Sequence, residues 1–528
     1  MCGIVGEVSS ETFAASALLT RLQRLSYRGY DSYGYALPEA MRKDVGHVTI
    51  LPTDGTVTGK RGIAHTRWAT HGGVTVENAH PHRVGRVTLV HNGIIDNYED
   101  LSAGPFVSET DSERLAARID AELEEHDPLD AVRRTLAAAE GIWAIAAMID
   151  GVEGIFVARK HVPILIGQTS TGHAIASDAL AFPDASRLLA LDDGAVAIVT
   201  ADSVRCVDRL GRPVSMRWEE NVVGSEETRP AGFAMEYEML QMPALLSRPA
   251  RSVEALQGPV TVVGCGSSVN AARLAVSLAR SSARVTLASE YDPELDDART
   301  MVAVSQSGET ADVLDAVRKA KAAGRRVIAV VNAPHTTLTR LADAAVMLGA
   351  GEERCVAATK SVILQAVALA RLFGADVNGD ALRGAEAAIA DRERIRSLSR
   401  SLAGAEHLFL IGRGAWLAIA DEAALKLKEV AYQHAESVPA LELKHGPLAL
   451  VTEGTPVVAF GDGDDARLRS TIHEVEARGG RVTPLLFSGV QGAFRALVTA
   501  QLLAFEIARI RGTPIDCPRN LAKSVTVY

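Results

Sequence analysis

From about residue 258 onward the chain repeats one grammar that few folds accept: a short apolar run, a turn of small residues, then an Ala/Leu/Arg-rich amphipathic stretch. VTVVGCGSS is followed by VNAARLAVSLAR, and MVAVSQSGE by TADVLDAVRKAKAAG. Strand, tight turn and helix in that order predict a parallel sheet with helices on its faces. A second round opens at HLFLIGRGA and AIADEAALKLKEVAYQ and continues through TPVVAFGDG and STIHEVEARGG. Two rounds about 150 residues apart predict a duplicated α/β domain.

The first 207 residues read differently. CGIVGEV, VTLVHNGII, WAIAAMI and GIFVAR are short alternating or apolar runs with few long helical patterns between them, which predicts a β-rich half. The polar stretch DRLGRPVSMRWEENVVGSEETRP has linker composition. The expected organisation is a first domain at 1–207, a linker at 208–240, α/β domains at 241–376 and 377–510, and a tail at 511–528 that ends in a short strand-like piece, laid against the second α/β domain. A chain of 528 residues supports about three such domains.

Charge excludes some partners. The net charge is −10 with Lys and Arg spread along the chain, so neither a nucleic acid nor a membrane surface is an expected partner. MCGIVGEVSS lacks the basic start and apolar stretch of a secretory signal, and a cytoplasmic location is expected by default. The five cysteines are far apart and the histidines lack carboxylates at ligand spacing, so no disulfide, zinc site or other metal is expected.

Cys2 follows the initiator methionine. Removal of Met1 would place a thiol and an α-amine on one residue, and an amine titrating near 8 can serve as the base for its own nucleophile. MCGIVG, LSYRGYDS, GIAHTRWATHG, NAHPH, VHNGIIDN and FVSETDS occur in order through this half. Together they resemble the glutamine amidotransferase domains that use an N-terminal cysteine. Amide hydrolysis passes through an oxyanion, for which Asn92 and Gly93 would supply N–H donors. Arg67 suits the glutamine α-carboxylate and Asp111 its α-ammonium. Trp68, Thr70 and His71 lie beside the clamp, and the resemblance implies that Trp68 gates the exit of ammonia.

In the second half, GCGSS and SQSGET each place hydroxyls and backbone N–H groups at a helix start, an arrangement suited to phosphate. Neither matches GxxxxGK[ST] or GxGxxG, so no nucleotide or other cofactor is expected. The pair resembles a sugar isomerase (SIS) domain, which implies that Ser268, Ser305, Gln306, Ser307 and Thr310 hold a sugar phosphate, with Ser267 on a sugar hydroxyl and Val356 also at the site. Glu422, Lys426 and Glu429 stand at i, i+4 and i+7 on one helix face, a pattern that a solvated salt-bridge face would share. The resemblance implies that Glu429 moves a proton between sugar carbons, with Lys426 assisting and Glu422 in support. His445 suits ring opening and, by the same resemblance, acts across a homodimer. Lys523 is the candidate for an imine with a ketose carbonyl.

Order and content over essentially the whole chain resemble the glutamine:fructose-6-phosphate aminotransferase (isomerising) family. That resemblance implies an N-terminal Ntn-type αββα sandwich followed by two SIS domains, with glutamine and fructose 6-phosphate, or a similar ketose phosphate, as substrates. It implies that ammonia passes between domains to give glucosamine 6-phosphate. The chain departs from the family pattern by being short, by DSYGYA for DSAGLA (Tyr33 and Tyr35, expected to add bulk near the glutamine site), by VAATK for VASTK (Ala358), by CGSS for CGTS, by FAMEYEM for HYMxKEI, and by Tyr528 as its last residue for the usual glutamate. Two other readings fit these departures. One is a paralogue acting on another ketose phosphate; the other is a sugar-phosphate-binding SIS protein with glutaminase activity alone. A synthetase or phosphoribosyl amidotransferase is disfavoured, since the chain has neither an SGGxDS loop nor an acidic pair for a PRPP loop.

Overall fold

The computed structural model describes residues 2–102, 104–222, 232–248 and 254–526. By contacts the chain divides into Met1–Glu227 with Ser524–Tyr528, and Thr228–Lys523.

In the first unit the alternating runs form two antiparallel sheets. The eight-stranded sheet sets Gly3–Ala14 between Thr58–Arg67 and Gly172–Ala176. The six-stranded sheet pairs Val87–Ile95 with Gly141–Ile149, with Asn92 opposite Ala144 and Gly93 opposite Trp143. Ile4, Ile63, Ile166 and Ile175 from one sheet meet Val90, Ala144, Val157 and Ala197 from the other in one buried layer. The outer face of the first sheet carries helix Ala15–Gln23, and that of the second carries Asp111–Glu122 and Pro128–Ala138. Strand alternation produces this layering, since each strand sends every second side chain to the inter-sheet core and the rest to a helix.

The alternation also corrects one expectation. Tyr33 and Tyr35 do not project toward the expected glutamine site. Both point to the outer face of strand Ser32–Leu37, buried among Leu18, Leu22 and Leu25. The Tyr33 hydroxyl accepts from Arg42 (2.6 Å) and the Tyr35 hydroxyl donates to Asp54 (3.0 Å). The bulk they add fills the helix–sheet layer, where an alanine and a leucine in the family pattern would occupy less volume.

The second unit holds both α/β repeats. In the first, the parallel order is Arg284–Leu287, Val260–Gly264, Thr300–Ser305, Arg326–Val331, Ala344–Met347, which is 2-1-3-4-5. In the second, it is His434–Pro439, His407–Gly412, Pro456–Gly461, Arg481–Leu486, which is 2-1-3-4. Helices Ser267–Leu278, Lys360–Leu372, Ala415–Ala431 and Gly489–Arg511 share one buried cluster with both sheets. The repeats therefore have a common core.

Residues 208–240, expected as linker, include strand Trp218–Glu220, paired to Arg187–Ala190, and helix Ala234–Leu240; residues 223–231 lie outside the described residues. In the tail, Asp516 accepts the Ala234 and Met235 N–H groups, and residues 512–526 contain no strand. Tyr528 lies outside the described residues. Among the described residues no helix is long and apolar enough to cross a membrane, and no group of three His, Cys, Asp or Glu side chains is arranged for a metal ion.

Candidate functional site

The first unit gathers its candidate residues around Cys2. The Trp68 N–H donates to Cys2 Sγ at 3.2 Å, and the thiol lies 3.5 Å from the Trp68 carbonyl oxygen. Desolvation pushes the thiol up; the Trp68 N–H and the Arg67 guanidinium oppose it. Asn92 Nδ2 donates to the Cys2 carbonyl at 3.0 Å, which brings the expected oxyanion donor to the nucleophile. Beside it Gly93 has φ +125°, and a Cβ there would lie 2.1 Å from the Ile142 carbonyl oxygen. Only glycine fits, and its backbone approaches closely for that reason.

Asn92 has an orienting partner that sequence reading missed. His65 Nε2 lies 3.0 Å from Asn92 Oδ1 and 3.0 Å from the His91 carbonyl oxygen. Both are acceptors, so Nε2 carries the proton, and the Asn92 amide is fixed with Nδ2 toward Cys2. Burial takes the His65 imidazole down to about 3 and His82 down to about 3, so both are neutral. The buried rings of His65 and His80 lie tilted at 4.1 Å between centroids, and His82 meets His80 edge-on at 4.6 Å. Replacing His65 with leucine is expected to lower kcat for the expected amide hydrolysis at Cys2 about 10-fold with little change in KM, because the Asn92 amide loses the bond that aims it. Steady-state kinetics on the variant, with a thermal melt to confirm the fold, check this.

Asp111 begins helix Asp111–Glu122. Its Oδ2 accepts the Ile95 N–H at 2.9 Å and its Oδ1 the Ser112 hydroxyl at 3.1 Å. Burial pushes the carboxyl up, but His91 and the Ile95 N–H outweigh it and bring it to about 2, so Asp111 is held as a carboxylate. The Arg67 guanidinium donates to the carbonyls of His71 (2.5 Å), Gly72 (3.2 Å) and Gly73 (2.9 Å). It thus shapes the loop that carries Thr70 and His71. The ring of Trp68 meets Tyr30 edge-on at 6.0 Å, and that of His71 meets Tyr98 at 5.6 Å.

In the second unit, the two serine loops leave the carboxyl ends of neighbouring strands, Val260–Gly264 and Thr300–Ser305. These are strands 1 and 3 of a 2-1-3-4-5 sheet, the switch point at which doubly wound sheets bind ligands. Ser305 Oγ lies 3.0 Å from Thr310 Oγ1 and accepts the Gly308 N–H at 3.0 Å; Ser307 Oγ accepts the Glu309 N–H at 3.2 Å. Gly308 has φ +67°, and a Cβ would fall 2.3 Å from Thr336 Oγ1, so the turn closes only on glycine. The Gln306 carbonyl accepts the Asn332 N–H at 3.2 Å. Ser267 and Ser268 open helix Ser267–Leu278. The second repeat has the same switch point but fills it with Asp462, Asp464 and Asp465, and Arg413 is taken by Asp465 at 3.1 Å. Carboxylates repel phosphate, so of the two switch points the first repeat's is the one suited to an anion.

Glu422, Lys426 and Glu429 do share a face of helix Ala415–Ala431, and it is not solvated. Lys426 and Glu422 are both 0 % exposed. Lys426 Nζ lies 2.5 Å from Glu429 Oε2, 3.0 Å from Ser267 Oγ and 3.4 Å from Glu422 Oε1. Ser267 and Asn270 both donate to Glu422, at 3.0 and 2.9 Å. The face so joins the first serine loop. Burial pushes Glu422 up, while Glu422 and Glu429 outweigh burial and push Lys426 up.

Lys523 is 4 % exposed and donates to Glu353 Oε2 at 2.7 Å. Glu353 and Asn270 were not anticipated; GEERCVAATK offers no periodicity that marks one glutamate. Val356 is buried, and its N–H donates to the Asp516 carbonyl at 3.0 Å. Ala358 is half-buried before helix Lys360–Leu372. His445 stands apart from these groups, exposed at the end of the short helix Ala440–His445.

The SIS domain family matches residues 257–375 and 401–493. Curated proteins named glutamine–fructose-6-phosphate aminotransferase [isomerizing] match the whole chain over their own whole length. Those from Caulobacter vibrioides and Halobacterium salinarum are each 37% identical, and that from Thermus thermophilus is 36% identical. The Caulobacter alignment runs over 610 residues against 528 here, so about 80 aligned positions have no counterpart in this chain.

Proposed function

The chain belongs to the glutamine–fructose-6-phosphate aminotransferase (isomerizing) family, and from that premise we propose a residue-level account of how it converts glutamine and fructose 6-phosphate to glutamate and glucosamine 6-phosphate. The observation that carries it is that one chain holds both a Cys2 whose carbonyl accepts from Asn92 and whose thiol meets the Trp68 N–H, and a serine cradle at a switch point beside a Lys426–Glu429 pair.

The first unit is an Ntn-type αββα sandwich. Cys2, freed of Met1, attacks the glutamine amide, with its α-amine as base. Asn92 Nδ2 and the Gly93 N–H stabilise the oxyanion. Asp111 takes the α-ammonium, and Arg67, with Trp68, Thr70 and His71 around it, takes the α-carboxylate. The second unit holds the sugar phosphate in the loops Ser267–Ser268 and Ser305–Thr310, with Val356 at the site. Lys523 condenses with the C2 carbonyl, ammonia from Cys2 displaces it, and Glu429, held by Lys426, moves the proton between C1 and C2. His445 opens the sugar ring in the partner of a homodimer, which accounts for its exposure here.

Methionine-processed protein given glutamine and fructose 6-phosphate, with each omitted in turn, is expected to yield equal glutamate and glucosamine 6-phosphate by mass spectrometry. Glutamate without aminosugar would move the reading to another ketose phosphate or to glutaminase activity alone. Ala358 stands where a serine would reach the sugar, so Ala358→Ser is expected to lower KM for fructose 6-phosphate several-fold, about the worth of one hydrogen bond. An unchanged KM would remove Ala358 from the specificity argument.

A further inference from the structure

Lys523 is not yet a nucleophile. Its buried ammonium sits 2.7 Å from Glu353, and attack on a carbonyl needs the lone pair that the proton occupies. Burial keeps bulk water from taking that proton. Glu353 is a poor place for it to rest: the carboxyl already accepts the N–H groups of Thr359 (3.1 Å) and Ser361 (2.9 Å) and the Ser361 hydroxyl (2.8 Å).

A second buried carboxyl lies one hydroxyl away. Glu238, on helix Ala234–Leu240, is 0 % exposed, and its Oε1 accepts the N–H groups of Arg354 (2.6 Å) and Cys355 (3.1 Å). Thr359 Oγ1 stands between the two glutamates, 3.0 Å from Glu238 Oε2 and 3.2 Å from Glu353 Oε1. One hydroxyl has one proton. It can bond two carboxyl oxygens at once only if one of them is itself protonated. Glu353 is pinned by the lysine and three further donors, so the carboxyl that can take a proton from this network is Glu238, and Thr359 Oγ1 is placed to bond both glutamates once it has.

We propose that Glu238 holds the proton that Lys523 gives up, passed through Glu353 and the Thr359 hydroxyl. The inference rests on the imine role proposed above for Lys523. The step balances as Lys523–NH3+ and Glu238–COO− becoming Lys523–NH2 and Glu238–COOH. The amine lone pair then forms the C–N bond at C2, the carbonyl oxygen takes one proton from that nitrogen and one returned from Glu238–COOH, and it leaves as water to give the iminium and Glu238–COO−. Glu238 acts through Lys523 and is a positioning residue.

The surroundings fit the assignment. Burial and the like charge of Glu353 push Glu238 well up, opposed by Lys523 and the two N–H donors. Burial would push Glu353 up as well, but the Lys523 charge holds it well below the usual carboxylate range. The Cys355 thiol is raised by burial and by Glu238. Other charges near the helix are engaged elsewhere: Asp516 caps its first N–H groups, Lys360 bonds Gln241 at 2.6 Å, and Arg392 pairs with Glu236.

The test reduces full-length protein with borohydride in the presence of fructose 6-phosphate and follows the adduct on the Lys523 peptide by mass, from about pH 6 to about pH 9. Glu238 must be empty to accept, so the wild-type rate should rise with pH through its ionisation and then level. Glu238→Gln is expected to lose that limb and to slow adduct formation at least about 10-fold at about pH 7, with glutamine hydrolysis unchanged. Thr359→Val should do the same and Thr359→Ser should restore the profile, so a misfolded Glu238→Gln would leave the test intact. Profiles of Glu238→Gln or Thr359→Val that superimpose on wild type would overturn the proposal. Aminosugar formed with no adduct on wild-type Lys523 would instead overturn the imine role itself, and this inference with it.

Discussion

Alanine at Cys2 is expected to reduce glutamine hydrolysis at least about 10³-fold, because it removes the nucleophile of the proposed mechanism, the thiol that lies beside the Trp68 N–H and the Asn92 amide. The same loss is expected from wild-type protein that keeps Met1. A retained methionine locks the Cys2 nitrogen into a peptide bond, which removes the base while leaving the thiol. The two cases separate thiol from amine: Cys2→Ala has the base without the nucleophile, and the unprocessed chain the nucleophile without the base. Borohydride trapping of fructose 6-phosphate on Lys523 should survive in both, since that chemistry sits in the second unit. Appreciable glutamine hydrolysis by the unprocessed chain would show that another group serves as the base.

The large features of this molecule were legible because they are local. The switch from alternating runs to strand–turn–helix units is a change of period, and the two-sheet and parallel-sheet parts of the structure differ in that period. The serine loops could be read for the same reason, each being a strand end, a glycine and a helix start within about ten residues. The spacing of Glu422, Lys426 and Glu429 established a shared face but not its burial, because the residues that cover it, Ser267 and Asn270, are more than 150 positions away. Glu238 and Glu353 were invisible on the same ground. Their significance arises only when Thr359 and Lys523 are brought between and beside them, and a glutamate in FAMEYEM or GEERC has no periodic signature of its own. The tyrosines at 33 and 35 show the opposite failure. Their proximity in sequence to a glutamine-site motif suggested proximity to the site, but strand alternation sends them to the far face.

The duplication also explains why two similar repeats share one chemical centre. Both sheets place a switch point at their carboxyl edge, but the first surrounds it with hydroxyls and the second with aspartates. The second repeat contributes through helix Ala415–Ala431, whose acidic and basic face closes over the first repeat's serine loop. In the proposed mechanism function is divided accordingly: the first repeat grips the phosphate, and the second supplies the groups that move protons. A chain that has shed about 80 of its relatives' positions can keep this arrangement, because both contributions come from helix starts and helix faces and need no long loops.

Lys426→Met is expected to abolish aminosugar formation and to destabilise the second unit by about 3–5 kcal/mol, the usual cost of breaking a buried ion pair from one side. The ammonium compensates two carboxylates, and Glu422 has no exposure through which to recruit water. Burial already raises Glu422 against the opposing pull of Lys426, Asn270 and Ser267, and losing the lysine removes the largest of those pulls. A carboxyl raised in the folded state favours the protonated form there. Its contribution is therefore present at low pH and lost as pH climbs through the raised value. The deficit of Lys426→Met against wild type should accordingly be full at about pH 7 and shrink toward about pH 5, as Glu422 takes up a proton in place of its partner. Denaturant unfolding at the two pH values measures this. Lys426→Met combined with Glu422→Gln should regain most of the stability while remaining inactive, since glutamine keeps the bond from Asn270 or Ser267 without a buried charge, but Glu429 still lacks the ammonium that holds it. A deficit that does not change with pH, or a double variant that regains activity with stability, would show that Lys426 is a structural lysine and that the proton transfer at the sugar is organised by other groups.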